Sequence, residues 1–278
     1  MNNVNSNRIL PTSSAYAREH FLYVQEIGTL TSQSPHISTR NNIYSFLFLV
    51  VTKGSGSFSY KGNTFSIHTG DCIFIDCHEP YSHESSGDDP WTLTWVHFYG
   101  EQLSDLYKRY LAMGYSYLFH PDSLTEILST LSNLYHEQEH KSSMTEIMSH
   151  KYLTDIITLS FIENKHEETE SVSIGEKLQK IREYMMVQYP EKITLDTLAS
   201  AFFISKFHLS REYKRYFGVT LMNDLTSIRI SHAKSLLRFT DKSIEQIAEE
   251  CGFLDSTYFI KVFKSAENMT PYSYKTKW

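Results

Sequence analysis

The chain has 278 residues, 41% of them hydrophobic, three cysteines and a net charge of −6. That length suits two domains with separate cores, no apolar run reaches the ~18 residues of a membrane span, and Cys72, Cys77 and Cys251 have neither zinc nor redox spacing, so reduced thiols in a cytoplasm are expected. The negative charge argues against nucleic acid only until it is divided: residues 1–175 carry a net −10 and residues 176–278 a net +4, the pattern of a basic module on an acidic body.

Residues 1–20 are polar and read as a flexible N-terminal arm with no signal-peptide core. From 21 to 98 the chain reads as short strands. Phe46–Val51 is an apolar run of buried-strand type. The turns Thr52–Gly56, Lys61–Asn63 and Thr69–Asp71 then separate Phe58/Tyr60, Phe65/Ile67 and Ile73–Ile75. Strands spaced by turns every eight to twelve positions predict a sandwich or barrel. Three helices follow, over Glu101–Met113, Asp122–Gln138 and Ser143–Glu163. The third is apolar on nearly two sides, which fits either a packed core helix or a dimer seam.

Residues 164–173 are polar and charged and read as a linker. Ser173 and Glu176 have the spacing of a capping box that opens a helix ending before Pro190. Further on, Ser243 and Gln246 repeat that spacing, and Ile244, Ile247, Ala248 and Cys251 form one apolar stripe. Gly252 breaks the helix, Phe253 is a core plug, and Asp255 can cap a second helix with Phe259, Val262 and Phe263 inward. This is helix-turn-helix spacing, although a plain helical hairpin would share it.

The pattern occurs twice. Leu195, Leu198, Ala199 and Phe202 form the same stripe forty-nine positions earlier, and Ser205 can cap a helix with Leu209, Tyr213 and Phe217 inward. Gly218-Val219-Thr220 matches Asn268-Met269-Thr270, with Asn replacing Gly where a helix ends left-handed. Between the copies, a helix over Leu221–Phe239 would be about 28 Å long.

Ile247-Ala248-Glu249-Glu250-Cys251-Gly252-Phe253, followed by Tyr258-Phe259, Val262-Phe263-Lys264 and Met269-Thr270-Pro271, resembles the signature of the AraC/XylS family of bacterial transcription regulators. The first copy and Arg229-Ile230, Ala233 and Leu236-Leu237 fit the same family. The resemblance covers roughly 174–278 and implies an all-α DNA-binding domain of seven helices with two helix-turn-helix motifs. Glu212 stands where an apolar residue is usual, which would loosen the first recognition helix. Upstream, the order Gly54-x-Gly56, Gly62, Gly70-Asp71, Pro80, His83 and Trp95–Gly100 is similar to the cupin-like sensor domain of sugar-responsive members. The expected layout is therefore an arm (1–20), a mostly β cupin-like barrel with dimerisation helices (21–163), a linker (164–173) and the DNA-binding domain (174–278).

The exposed faces of the two second helices are the expected readers of the major groove. They carry Lys206, Phe207, His208, Ser210, Arg211 and Lys214 in the first copy, and Ser256, Thr257, Tyr258, Ile260 and Lys261 in the second. An ordinary solvated face is the alternative, and the repeat favours DNA. In the barrel the resemblance places Trp95 where relatives stack a sugar and Arg40 near a ligand-binding arginine, with Tyr81, His83 and His97 beside them by strand position. Core packing accounts for Trp95 equally well. The effector expected is a neutral saccharide or similar polyol. His68, His78, His83 and His97 form no His-x-His cluster, so neither metal nor cofactor is expected. The alternative of a sugar-converting cupin enzyme is correspondingly weak. The resemblance further implies promoter DNA as partner, a homodimer through helices 122–138 and 143–163 and contact with RNA polymerase, with activator and repressor both left open as the mode of control.

Overall fold

The structure is a computed structural model and describes residues 4–33, 35–164 and 170–277. The chain divides into two compact units at residues 167/168. The first contains, in order, β1 (Val4–Ile9), α1 (Ala15–His20), β2 (Tyr23–Ser32), β3 (Ile37–Arg40), β4 (Phe46–Lys53), β5 (Ser55–Tyr60), β6 (Asn63–His68), β7 (Cys72–Asp76), β8 (Tyr81–Ser85), β9 (Thr92–Tyr99), α2 (Leu103–Ala112), β10 (Leu118–Phe119), α3 (Thr125–Glu139) and α4 (Thr145–Ile162). The strands form a six-stranded sheet ordered β1-β2-β9-β4-β7-β10 and a four-stranded sheet ordered β3-β8-β5-β6. All pairings are antiparallel.

Side chains alternate across a strand, and β4 uses both of its faces. Phe46, Phe48 and Val50 join Phe74, Val96 and Phe98 in a core covered by residues of α2, α3 and α4. Leu47, Leu49 and Val51 point the other way, into a core shared with Phe58, Tyr60, Ile67 and Tyr81 of the second sheet. Six consecutive residues, Phe46–Val51, are thus buried, which is why this antiparallel strand lacks the usual polar alternation.

Residues 1–20, expected as a flexible arm, are ordered where described. β1 pairs along its whole length with β2, from Val4↔Ser32 to Ile9↔Ile27. An edge strand needs backbone partners more than apolar side chains, so Asn5, Ser6, Asn7 and Arg8 do not prevent it. Ser14 caps α1 by accepting from the Ala17 N–H, and the Glu146 carboxylate accepts from both the Ser14 N–H at 2.7 Å and its hydroxyl at 2.8 Å. Helix α4 gives Leu153, Ile156, Ile157 and Leu159 to the core, while Met144, at its N-terminus, and Ile147 and Ile162 stay exposed.

Asn164, expected as the first linker residue, is instead part of the packed β unit. Asn164 is 3% exposed, and its amide donates to the Tyr110 hydroxyl and, at 2.6 Å, to the Ser116 carbonyl. Residues 165–169 lie outside the described residues. Helix α5 (Glu170–Gln188) then runs through Ser173, so Ser173 is not the N-cap its spacing suggested.

The second unit continues with α6 (Leu195–Ala201), α7 (Lys206–Phe217), α8 (Leu221–Phe239), α9 (Ile244–Glu250), α10 (Ser256–Glu267) and α11 (Pro271–Lys277). Thr194 and Ser243 make full capping boxes, and Ser205, Thr220 and Asp255 cap with side-chain oxygens. Gly218 and Asn268 end α7 and α10 in left-handed conformations. Each helix-turn-helix has its own core, and α8 serves both, with Leu221 and Leu225 in the first and Ile230, Ala233 and Leu237 in the second.

The two turns differ in the residue that takes the left-handed conformation. Gly252 has φ +77°, and the equivalent Phe203 has φ +50° with a side chain 93% exposed. A Cβ on Gly252 would lie 2.6 Å from the Pro190 carbonyl oxygen and 2.7 Å from that of Tyr189. Gly252→Ala should therefore cost about 2 kcal/mol or more, as left-handed strain and backbone collision add. Phe203→Gly should change stability by less than about 1 kcal/mol, because relieved strain and glycine's extra chain entropy nearly offset. Thermal unfolding of the two variants measures both, and equal losses would contradict this difference.

Candidate functional site

Two regions gather the residues singled out in the sequence. The first is a cavity of about 70 Å³ in the β unit, lined by Arg8, Glu26, Leu30, His36, Ser38, Arg40, Leu47, Leu49, Tyr81, His83, Leu93, Trp95 and His97. Strand period explains the convergence: 38 and 40 on β3, 81 and 83 on β8, 47 and 49 on β4, and 93, 95 and 97 on β9 each alternate onto one face. Register then sets Arg40 opposite Tyr81 and Ser38 opposite His83. Arg40, Tyr81, His83, Trp95 and His97 all reach this one cavity.

Its lining is strongly polar on one side. His97 is held by the Ser45 hydroxyl, 3.1 Å from Nδ1, and by the Tyr81 hydroxyl, 3.4 Å from Nε2. Burial, helped by the nearby Arg40 charge, lowers the pKa of His97 to about 4. Burial first, then His36, Arg40 and His97, lowers His83 to about 4. Nδ1 of His83 is buried without a hydrogen-bond partner. Arg8 lies over the Trp95 ring, 5.6 Å from its centroid, and pairs with Glu26 at 3.3 Å. Arg40 makes no ion pair among the described residues; its guanidinium donates to the Thr39 carbonyl at 3.1 Å.

Arg8, Glu26, His36 and Ser38 were not anticipated. Arg8 comes from the edge strand mistaken for an arm. Glu26 follows an irregularity between Val24 and Glu26 that sets it opposite His97, and such bulges re-aim side chains without a reliable sequence signal. Of the other barrel histidines, neither His68 nor His78 lines the cavity. Among the described residues, His136, Glu139 and His140 bring ligand atoms within 4.8 Å of one another; they are exposed, and none lines the cavity.

The second region is the outer surface of α7 and α10. Lys206, Phe207, His208, Ser210, Arg211 and Lys214 are exposed on α7. On α10, Thr257, Tyr258, Ile260 and Lys261 are exposed and Ser256 is half-buried. Some are already engaged: Lys206 pairs with Asp196 at 2.8 Å, and Arg211 Nε donates to Glu212 at 3.0 Å. Glu212 does not loosen α7. It is 6% exposed, and its second oxygen meets Arg215 at 2.6 Å, so a buried carboxylate is held between two guanidiniums.

Behind these faces lie two polar anchors. Asp224 accepts from Arg182 Nε at 2.8 Å and from the Tyr213 hydroxyl at 2.6 Å, and burial with the Asp224 bond raises the Tyr213 pKa. Arg229 donates to the Tyr189 and Glu191 carbonyls, each at 2.8 Å, and lies 5.7 Å from the Phe253 ring centroid. It joins the loop after α5 to the second turn. All three cysteines are buried, and burial raises the Cys251 thiol to about 11.

Residues 33–153 match the AraC-like ligand binding domain, and residues 198–277 match the helix-turn-helix domain. The chain belongs to the AraC/XylS family. It is 26% identical over 219 residues to the lactose operon transcription activator of Staphylococcus xylosus, covering 77% of each chain. It is 25% identical to the uncharacterized HTH-type transcriptional regulator YdeC of Bacillus subtilis, with 82% of each chain covered. Among solved structures, a transcriptional regulator of Chromobacterium violaceum with an AraC-type DNA-binding domain matches at 27% identity and a TM-score of 0.36, covering 38% of this chain and 95% of that one. This AraC-family chain is thus a transcription regulator with a ligand-binding and a DNA-binding domain. No helix among its described residues is long and apolar enough to cross a membrane.

Two of the three cavity histidines, His83 and His97, should give this ligand-binding domain a pH dependence. Their folded pKa of about 4 lies below the ordinary value, so below about pH 6.5 the unfolded chain binds more protons. Stability should be fully present above about pH 6.5 and fall toward pH 4, by on the order of 3 kcal/mol per ring at the limit. Thermal unfolding across this range should show the decline, and the double variant His83→Gln, His97→Gln should flatten it. A decline of unchanged steepness in that variant would remove both rings as its cause.

Proposed function

We propose that this regulator binds promoter DNA through α7 and α10 under the control of a saccharide-class effector held in the β-unit cavity. The observation that carries the effector site is the convergence of Arg40, Tyr81, His83, Trp95 and His97 on one cavity. An indole supplies a flat face for the C–H side of a sugar, and a guanidinium supplies several fixed donors for its oxygens. The name of the Staphylococcus xylosus relative, a lactose operon activator, supports a sugar and activation.

On the DNA side, Arg211, His208, Ser210 and Phe207 of α7 and Thr257, Tyr258 and Ile260 of α10 are the proposed base readers. Lys206, Lys214, Lys261 and the turn-capping N-termini would serve phosphates. To reach a guanine, Arg211 exchanges its contact with Glu212, which keeps Arg215. A homodimer is proposed through α3 and α4, where Met144, Ile147 and Ile162 leave apolar surface uncovered. Contact with RNA polymerase and a cytoplasmic location complete the reading. The layout proposed is a sensor from the N-terminus to about residue 163 and a DNA-binding domain from about 170.

DNA affinity should fall steeply as salt rises, because bound phosphates release counterions. Arg211→Ala should lose about 1–3 kcal/mol on the cognate site and relax preference at one base pair, whereas Lys214→Ala should weaken all sequences alike and reduce the salt slope. Binding isotherms on cognate and scrambled DNA at several salt concentrations test this. Identical behaviour of the two variants would withdraw the reading role from Arg211. In the sensor, Trp95→Ala should abolish the effector's influence on DNA occupancy while basal DNA affinity persists. An undiminished response would move the effector out of this cavity.

A further inference from the structure

We infer that the effector is a hydroxylated monocarboxylate, a sugar acid such as a hexuronate or aldonate, with its carboxylate on Arg40. The inference rests on the proposed effector site and narrows its chemistry from a neutral sugar to an anion.

Charge is the first ground. Two arginines line the cavity, and they differ in what they already hold. Arg8 is paired with Glu26 at 3.3 Å and also donates to the Ser6 hydroxyl at 2.9 Å. Arg40 has no carboxylate partner among the described residues, only the neighbouring Thr39 carbonyl. Half-buried His83 and His97 are neutral at physiological pH. One fixed positive charge is therefore left uncompensated at the rim, where exposed Arg40 meets the cavity. A neutral ligand seated there can accept from the guanidinium's donors but leaves its charge unmatched. A carboxylate restores the balance and fits the guanidinium fork with two parallel hydrogen bonds. A phosphate dianion would need a second free cation, and Arg8 is already committed.

Hydrogen-bonding capacity is the second ground. Ser38 and Arg40 alternate along β3 onto the cavity side, His36 just before the strand joins them, and His83 lies opposite Ser38. A row of polar groups ending in a cation, facing Leu47, Leu49, Leu93 and Trp95, suits a molecule with hydroxyls on one edge, a C–H face on the other and a charge at one end. A fatty or aromatic acid would satisfy Arg40 but leave His83 and Ser38 facing apolar surface.

The test is calorimetric titration of the full chain with pairs that differ only in oxidation of the terminal carbon: glucuronate with glucose, and galacturonate with galactose. The expected result is at least tenfold tighter binding of the acid in one pair or both. That preference should collapse in Arg40→Met, where the acid and its neutral sugar should bind within twofold of each other, and return only partly in Arg40→Lys, which keeps the charge and loses the fork. A neutral sugar binding as tightly as its acid would overturn the anion and leave the saccharide cavity standing. A preference surviving intact in Arg40→Met would overturn the assignment to Arg40. No heat from any of the four sugars would overturn the anion and the saccharide reading together. Arg40 is exposed, so its variants are expected to fold, and their wild-type melting temperature is the control.

Discussion

The sensor depends on one strand having to satisfy two cores. Phe46, Phe48 and Val50 are fixed by the rings of Phe74, Phe98 and Tyr107 on the helix side, and Leu47, Leu49 and Val51 form a wall of the opposite core. A strand held on both faces cannot slip by one residue, because a slip would exchange all six side chains between environments of different shape. The cavity's apolar wall is thus positioned by packing on the far side of the sheet. Each large side chain in that run contributes roughly 1.5–3 kcal/mol of burial, ample to hold a polar cluster with one unsatisfied nitrogen beside it.

Residues visible in the sequence were those whose signals are local. The run Phe46–Val51, the caps at Ser205, Ser243 and Asp255, and the left-handed end at Asn268 follow from one or two neighbouring residues and need no tertiary knowledge. Strand alternation joined to family resemblance then brought five side chains to one cavity. What stayed hidden depends on distant partners. β1 is polar because its stability comes from backbone bonds to β2. Glu26 reaches the cavity through a bulge. Glu212 looks misplaced on an apolar face until Arg211 and Arg215 are seen to close on it. The start of α5 at Glu170 overrides a capping signal at Ser173, since a hydroxyl residue can cap a helix but cannot compel one to begin.

The helical unit shows the same logic in duplicate. Two small cores share α8 as a common wall. Polar anchors tie its first turn and its middle to their surroundings: Asp224 gathers Arg182 of α5 and Tyr213 of α7, and Arg229 binds the loop after α5 beside the turn of the second motif. Hydrophobic burial alone would permit some sliding between the halves. Directed hydrogen bonds to named carbonyls remove that freedom, so the geometry between α7 and α10 is set by chemistry as well as by the length of α8.

The unequal turns carry a consequence for substitution. Both copies need a left-handed residue after the first helix, yet only one is walled in by Tyr189, Pro190 and Arg229. The position held by Gly252 admits a single amino acid, whereas that of Phe203 opens to solvent and admits any residue able to bear the backbone angle. Two halves of one repeat are therefore unequally constrained: the first turn has room for bulk and chemistry of its own, and the second has none.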